Sequence, residues 1–133
     1  MERIRILKVA PLEKPELVEI DHTLKNLQEI VGGDIQAVYP WEDPVALVCD
    51  DEGKFKSYPA NRVLVDDEGN PYDIVCGTFF ICGLTREDFG SLSDELAEKY
   101  AERFRFPEML MRRMDGRIMW VRIGSGEEPR IIC

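Results

Sequence analysis

The run DIVCGTFFICGL, residues 73–84, places apolar side chains almost without interruption between turn-forming residues. Such a run is typical of a strand that is covered on both faces. In one continuous strand, Cys76 and Cys82 would share a face but lie about 20 Å apart at ~3.3 Å per residue. A disulfide requires Cα atoms within about 7 Å of each other. We therefore expect a buried core strand whose cysteines pack as small apolar residues.

Gly77 is the exceptional residue of this run, because a glycine weakens a strand unless a bulge or a close neighbour requires the space. We expect another backbone segment or an aromatic ring to lie against it. If a ligand binds in this region, we expect it at the gap beside Gly77 and Thr78.

The segments before this run predict strands and one helix. Residues 3–9 begin with alternating apolar and charged side chains, as in a strand, and residues 16–20 can form its hairpin partner. Apolar residues at helical spacing follow Thr23, and Gly32-Gly33 ends that helix in the position that glycine favours.

The segments after the run predict a second helix and a hairpin. Thr85 and Asp88 have the spacing of a capping box, which predicts a helical turn. A longer helix follows over residues 94–104, and Asp115-Gly116 between two extendable runs predicts a C-terminal hairpin. We expect one α+β domain over residues 1–133, a mixed, mostly antiparallel sheet with two main helices packed on it.

Composition and charge limit the classes of function. The chain is 44% hydrophobic and 32% charged, as in a globular protein, and lacks the ~20-residue apolar run of a membrane helix. Its N-terminus has no signal-peptide pattern, so we expect a cytoplasmic protein without membrane contact. The net charge is −9, with −6 in residues 42–73 and +3 in residues 103–133. An acidic body repels phosphate backbones, which disfavours direct nucleic-acid binding.

Residue types that carry chemistry are present without the usual spacings. The four cysteines form no C-x-x-C pair, and His22 is the single histidine. A tetrahedral metal site or a Ser–His or Cys–His catalytic pair would normally show such spacings or motifs. We therefore predict no catalytic residue, no metal and no cofactor, and we favour a protein that is not an enzyme.

The pair Asn61-Arg62 has two interpretations. In a structural role, Arg62 pairs with an acid of residues 66–68 and Asn61 satisfies backbone groups. Alternatively, the pair forms the polar floor of a small pocket shared with Tyr39 and Trp41, since pockets combine aromatic side chains with a few fixed polar groups.

Four segments together resemble the bacterial domain of unknown function 3846: IDHTLKNLQEIVGGDIQAVYP, LVCDDEGK, NRVL and YDIVCGTFFICG. The resemblance covers residues 3–84, and residues 85–133 look like the helix and strand extension that some members carry. It implies a phage or mobile-element setting and places Asn61, Arg62, Gly77 and Thr78 in the family pattern. It brings no activity, cofactor or catalytic residue.

These observations favour a non-enzymatic accessory or binding protein of a mobile element or phage, with a host or element-encoded protein as partner. Two alternatives stay open. One is a small-molecule or enzymatic pocket around Tyr39, Trp41, Asn61 and Arg62, and the other is an acidic mimic of DNA that occupies a nucleic-acid-binding partner. Trp120 and the methionines at 109, 111, 114 and 119 are candidates for core or interface.

Overall fold

A computed structural model describes residues 2–132, which form two helices and eleven strands. The helices are α1 (Leu24–Val31) and α2 (Asp94–Arg103). The strands are β1 (Arg3–Val9), β2 (Glu16–Asp21), β3 (Ile35–Val38), β4 (Val45–Asp50), β5 (Ala60–Val65), β6 (Pro71–Cys76), β7 (Phe79–Leu84), β8 (Phe89–Gly90), β9 (Glu108–Arg112), β10 (Ile118–Arg122) and β11 (Arg130–Ile131). No helix among these residues is long and apolar enough to span a bilayer.

The central sheet has the strand order β2-β1-β7-β4-β3, with β8 added at the end of β7. Strand β7 lies at its centre and pairs with β1 on one side and β4 on the other. Phe79, Phe80, Ile81 and Cys82 have no exposed surface. The prediction that this run forms a buried strand is therefore confirmed for its second half.

Both faces of the central sheet are covered, which explains the near-continuous apolar run. On one face, Phe79 and Ile81 pack with Tyr100 and Phe104 at α2 and with Val75 of β6. On the other face, Phe80 and Cys82 pack with residues of α1. Since successive side chains of a strand point to opposite faces, each residue from Phe79 to Cys82 packs into one of the two cores.

The run of residues 73–84 is two strands, and the expectation of one continuous strand is wrong. Strand β6 pairs with β5 in a separate two-stranded sheet, whereas β7 belongs to the central sheet. Gly77 has a φ of +80°, a left-handed conformation that residues with a Cβ adopt at a cost. The chain changes direction there and passes from one sheet to the other.

In the structure, an aromatic ring lies beside Gly77. A Cβ built on Gly77 would lie 2.7 Å from Cδ2 of Tyr58, well inside van der Waals contact. The expectation that a ring or backbone fills the space beside this glycine is therefore confirmed. Glycine is required here by both the backbone conformation and the packing.

The α+β class is confirmed, with two refinements. All pairings among the described strands are antiparallel, and the strands divide into three sheets instead of one mixed sheet. The hairpin predicted at Asp115-Gly116 joins β9 and β10. The helical turn predicted at Thr85 is wrong: the Thr85 hydroxyl and Asp88 backbone exchange hydrogen bonds in a tight turn between β7 and β8, because a capping side chain serves a turn equally well.

We predict that Gly77→Ala lowers the free energy of unfolding by about 2–4 kcal/mol, because left-handed strain adds to the clash with Tyr58. Gly69→Ala is the matched control, since Gly69 has a φ of +85° but no atom within 4 Å of its built Cβ. Its expected loss is about 1 kcal/mol. Urea denaturation measures both, and equal losses would show that the ring does not constrain Gly77.

Candidate functional site

Asn61 and Arg62 are both 1% exposed although they are consecutive residues of one strand. The register of β5 on β6 moves from Ala60 opposite Cys76 to Arg62 opposite Val75, so Asn61 is the extra residue of a β-bulge. The bulge interrupts the usual alternation of faces. Two neighbouring polar side chains can therefore enter the interior together.

The Arg62 guanidinium is held by hydrogen bonds to three segments. Its Nε and Nη2 donate to the carbonyl of Phe104 at 3.3 and 2.9 Å, and Nη2 also donates to the carbonyl of Glu13 at 2.8 Å. Its Nη1 donates to Oδ1 of Asn61 at 2.7 Å. Phe104 caps the C-terminus of α2. The negative end of the helix dipole lies there and stabilises the positive charge of Arg62.

The Asn61 side chain extends the same network to the central sheet. Its Nδ2 donates to the carbonyl of Val9 at 2.8 Å and to that of Gly77 at 2.9 Å. The gap beside Asn61 and Arg62 is too small to hold a water molecule. The pair therefore connects β1, the turn at Gly77 and the end of α2.

Glu108 is the buried carboxylate closest to this network, at 5% exposure. One oxygen, Oε1, accepts hydrogen bonds from the Val63 amide and from Nε1 of Trp120, both at 2.8 Å, and Oε2 lies 3.9 Å from Nε of Arg62. Burial raises the pKa of Glu108, against the opposing effect of these donors. The sequence analysis missed Glu108, whose one signal is a lone acid directly after Pro107 at the start of an apolar run.

A second polar cluster is built around Tyr58, whose ring lies on Gly77. Its hydroxyl lies 3.2 Å from the carbonyl oxygen of Gly32 and 3.1 Å from Oδ2 of Asp50, the two acceptors that share its one proton. Nζ of Lys56 donates to the same Oδ2 at 2.8 Å. Burial alone would raise the pKa of Asp50, but these hydrogen bonds and one from a backbone amide keep it below its ordinary value.

The two glycines after α1 make room for this cluster. A Cβ on Gly32 would lie 2.6 Å from the Tyr58 hydroxyl, and one on Gly33 would lie 2.7 Å from Oδ2 of Asp50. Gly32 also closes the helix with a φ of +91°. Gly32 and Gly77 thus lie against Tyr58, and Gly33 lies against Asp50.

The other predicted site residues are placed differently. Trp41 packs against Tyr100 and Phe104, with ring centroids 4.6 and 5.9 Å away, so it shares Phe104 with Arg62. Tyr39 is 61% exposed, and Thr78 lines a shallow surface groove with Lys8 and Asp21.

The structure therefore brings Trp41 and Arg62 together at Phe104, with Asn61 hydrogen-bonded to Arg62, and leaves Tyr39 and Thr78 at the surface. Asn61 and Arg62 hydrogen-bond to other groups of the fold, and the space beside Gly77 is filled by the ring of Tyr58. Ligand binding by the six residues stays a prediction.

The three cysteines that the structure describes show no activated thiol. Cys49, Cys76 and Cys82 are free, and burial raises the pKa of each thiol, to about 12 for Cys82. A neutral thiol is a weak nucleophile and a weak metal ligand. Cys133 lies outside the described residues, and within residues 2–132 no three His, Cys, Asp or Glu side chains converge as metal ligands would.

The outer side of the C-terminal hairpin carries an apolar surface that we call the methionine face. Met119 lies opposite both Met111 and Ile131, and Val121 lies opposite Met109, so all five side chains project from one side of the three-stranded sheet. Met109, Met111 and Ile131 are 40–41% exposed. Trp120, Leu110 and Glu108 occupy the other side. The sequence pattern predicted the hairpin but did not show which side stays open.

The structure is therefore that of a small α+β protein. Its buried polar side chains, among the described residues, are all hydrogen-bonded, and its methionine face is exposed. The sequence model of the domain of unknown function DUF3846 matches residues 4–105, and the chain belongs to this family. The match includes α2 as well as the segments quoted above, and ends before β9. Searches of the curated proteins and of the solved structures found no match.

We predict that Arg62→Lys lowers the free energy of unfolding by about 3 kcal/mol or more, because an ammonium cannot reproduce the forked hydrogen bonds to Phe104, Glu13 and Asn61. Arg113→Lys, at an exposed position, serves as the control and is expected to change it by less than about 0.5 kcal/mol. Chemical denaturation measures both. An Arg62→Lys protein as stable as wild type would mean that the guanidinium is free for another role.

We predict a specific pH dependence from Glu108. Its pKa is raised in the folded state, so folding binds a proton that the unfolded chain releases, and stability falls as pH rises from about 4.5 through the raised pKa. Glu108→Gln keeps an acceptor for Val63 and Trp120 but cannot ionise. The stability of wild type relative to Glu108→Gln should therefore decrease between pH 4 and 8, and an increase would contradict the assignment.

Proposed function

We propose that this protein is a non-enzymatic accessory protein of a bacterial mobile element or phage, and that it binds a host or element-encoded protein through the methionine face. The single observation that carries the proposal is that face, where three apolar side chains are about 40% exposed on one side of a sheet. Exposed methionine side chains adapt their shape to a partner and are frequent at binding surfaces.

The buried polar residues support a role without catalysis. Among the described residues, four polar side chains are buried, and each is hydrogen-bonded to groups of the protein itself: Asp50, Asn61, Arg62 and Glu108. No buried side-chain nitrogen or oxygen among the described residues lacks a hydrogen-bond partner. A site prepared for a substrate would commonly leave such a group for it.

The family resemblance supports the proposed setting, and the free cysteines support the proposed compartment. Three free thiols fit the reducing cytoplasm. The methionine face lies in β9 to β11, after the end of the family match at residue 105. In this proposal, the family domain provides the scaffold and the extension provides the contact surface.

We expect affinity capture from host cells to recover at least one protein that depends on the methionine face. The variant is Met111→Thr with Met119→Thr, which keeps good strand formers but removes the apolar contact. The control is Leu17→Thr, an apolar strand residue with 46% exposure elsewhere on the surface. Quantitative mass spectrometry should show at least tenfold less of the partner with the double variant alone.

Equal recovery of every protein by wild type and the double variant would overturn the proposal. A partner that survives the methionine substitutions but is lost as salt is raised would favour the acidic surface instead, as expected for a mimic of DNA.

A further inference from the structure

The methionine face has the dimensions of one helix. Strands β9 and β10 have five residues each, which gives a length of roughly 17 Å at ~3.4 Å per residue. The two-residue β11 lies beside Met119 and Trp120, and at ~4.8 Å per strand it widens the face there to roughly 10–15 Å. An α-helix is about 10 Å across and rises about 1.5 Å per residue, so about 11 residues, or three turns, cover the face.

A second copy of the chain does not fit this face as well. The footprint is roughly 200 Å², whereas each partner of a stable protein pair contributes about 800 Å². One short helix matches the length and width of the face, and methionines adapt their shape to the mixed aliphatic side chains that such a helix presents.

The charge around the face selects the kind of helix. Arg113 and Arg117 continue the register of β9 and β10, with a hydrogen bond from the Arg113 amide to the Arg117 carbonyl, so by alternation they fall on the same side as Met111 and Met119. Both arginines are exposed, and Arg113 also lies 3.5 Å from Asp115 in a solvent-exposed ion pair that a partner's carboxylate can replace. Residues 103–133 contain seven arginines and four acids, whereas residues 1–102 contain ten basic and twenty-two acidic residues.

Two other kinds of occupant are disfavoured by the same charges and residue types. An anionic membrane would face the strongly acidic remainder of the protein. A nucleic acid would meet the same repulsion, and the methionine face has no aromatic ring on which a base could stack.

We propose that the methionine face binds an amphipathic helix of about three turns from a partner protein. The apolar side of that helix would lie on Met109, Met111 and Met119, and its carboxylates would pair with Arg113 and Arg117. This inference rests on the proposed function and adds the chemical class of the partner.

The test uses two defined probes and the full chain. Both are fluorescein-labelled 18-residue peptides with leucines at helical spacing, one with glutamates and one with lysines at the remaining charged positions. Fluorescence anisotropy at physiological salt should show at least tenfold tighter binding of the glutamate peptide. Methyl-¹³C methionine spectra locate the site, because four of the five methionines lie in residues 109–119. The Met109, Met111 and Met119 signals should shift.

Matched variants assign the binding to the face. Met111→Thr with Met119→Thr should weaken the glutamate peptide at least tenfold, whereas Leu17→Thr should leave its affinity unchanged. Arg113→Gln with Arg117→Gln should remove the preference for glutamate over lysine. Circular dichroism confirms that each variant is folded, and all variants lie at exposed or half-exposed positions.

Several results would overturn the inference. These are equal or tighter binding of the lysine peptide, no binding of either peptide, or shifts confined to other residues. A dimer in solution that the methionine substitutions dissociate would assign the face to a second copy. Vesicles containing phosphatidylserine that bind in a methionine-dependent way would assign it to lipid. If only the peptides fail while capture from cells still depends on the face, the proposed function stands without this partner class.

Discussion

The Arg62 guanidinium, buried and bonded to the end of α2, is the interaction on which the rest of this structure depends. A charge with 1% exposure is tolerated only when its donors are satisfied, because an unpaired buried ion costs several kcal/mol. The carbonyls of Phe104 and Glu13 and the amide of Asn61 satisfy it here. Through Asn61 the same network reaches Val9 and Gly77, so the helix, the central sheet and the smaller β5–β6 sheet are held in one arrangement.

Glu108 joins the C-terminal extension to this network. Its carboxylate accepts the Val63 amide, a group of β5 that would otherwise lie unpaired at a buried edge, and it also accepts the Trp120 indole. The hairpin is therefore anchored on its inner side by one charged residue and one aromatic residue. That anchor turns the methionine face outward and makes it a fixed surface on the family domain.

Local pattern was enough to predict much of the fold. Alternation predicted β1, its hairpin partner predicted β2, glycine predicted the end of α1, and Asp115-Gly116 predicted the hairpin of β9 and β10. Each of these depends on residues close together in the chain. The break at Gly77 was missed because its cause, the ring of Tyr58, lies nineteen residues away in sequence. The partners of Arg62 are as distant, with Phe104 42 and Glu13 49 positions away. Composition could identify Asn61 and Arg62 as unusual, but it could not show that the fold itself consumes their hydrogen bonds, nor which side of the hairpin stays exposed.

The central claim is that Arg62 is a structural residue whose side-chain protons are enclosed by the protein. NMR of ¹⁵N-labelled arginine side chains tests it directly, with the Arg62 Nε–H signal assigned by its loss in Arg62→Lys. The structure predicts that this proton exchanges with water only through opening of the fold, at a rate close to that of the slowest core amides in β7. An exchange rate equal to that of the exposed Arg117 would contradict the claim and make Arg62 available to a ligand.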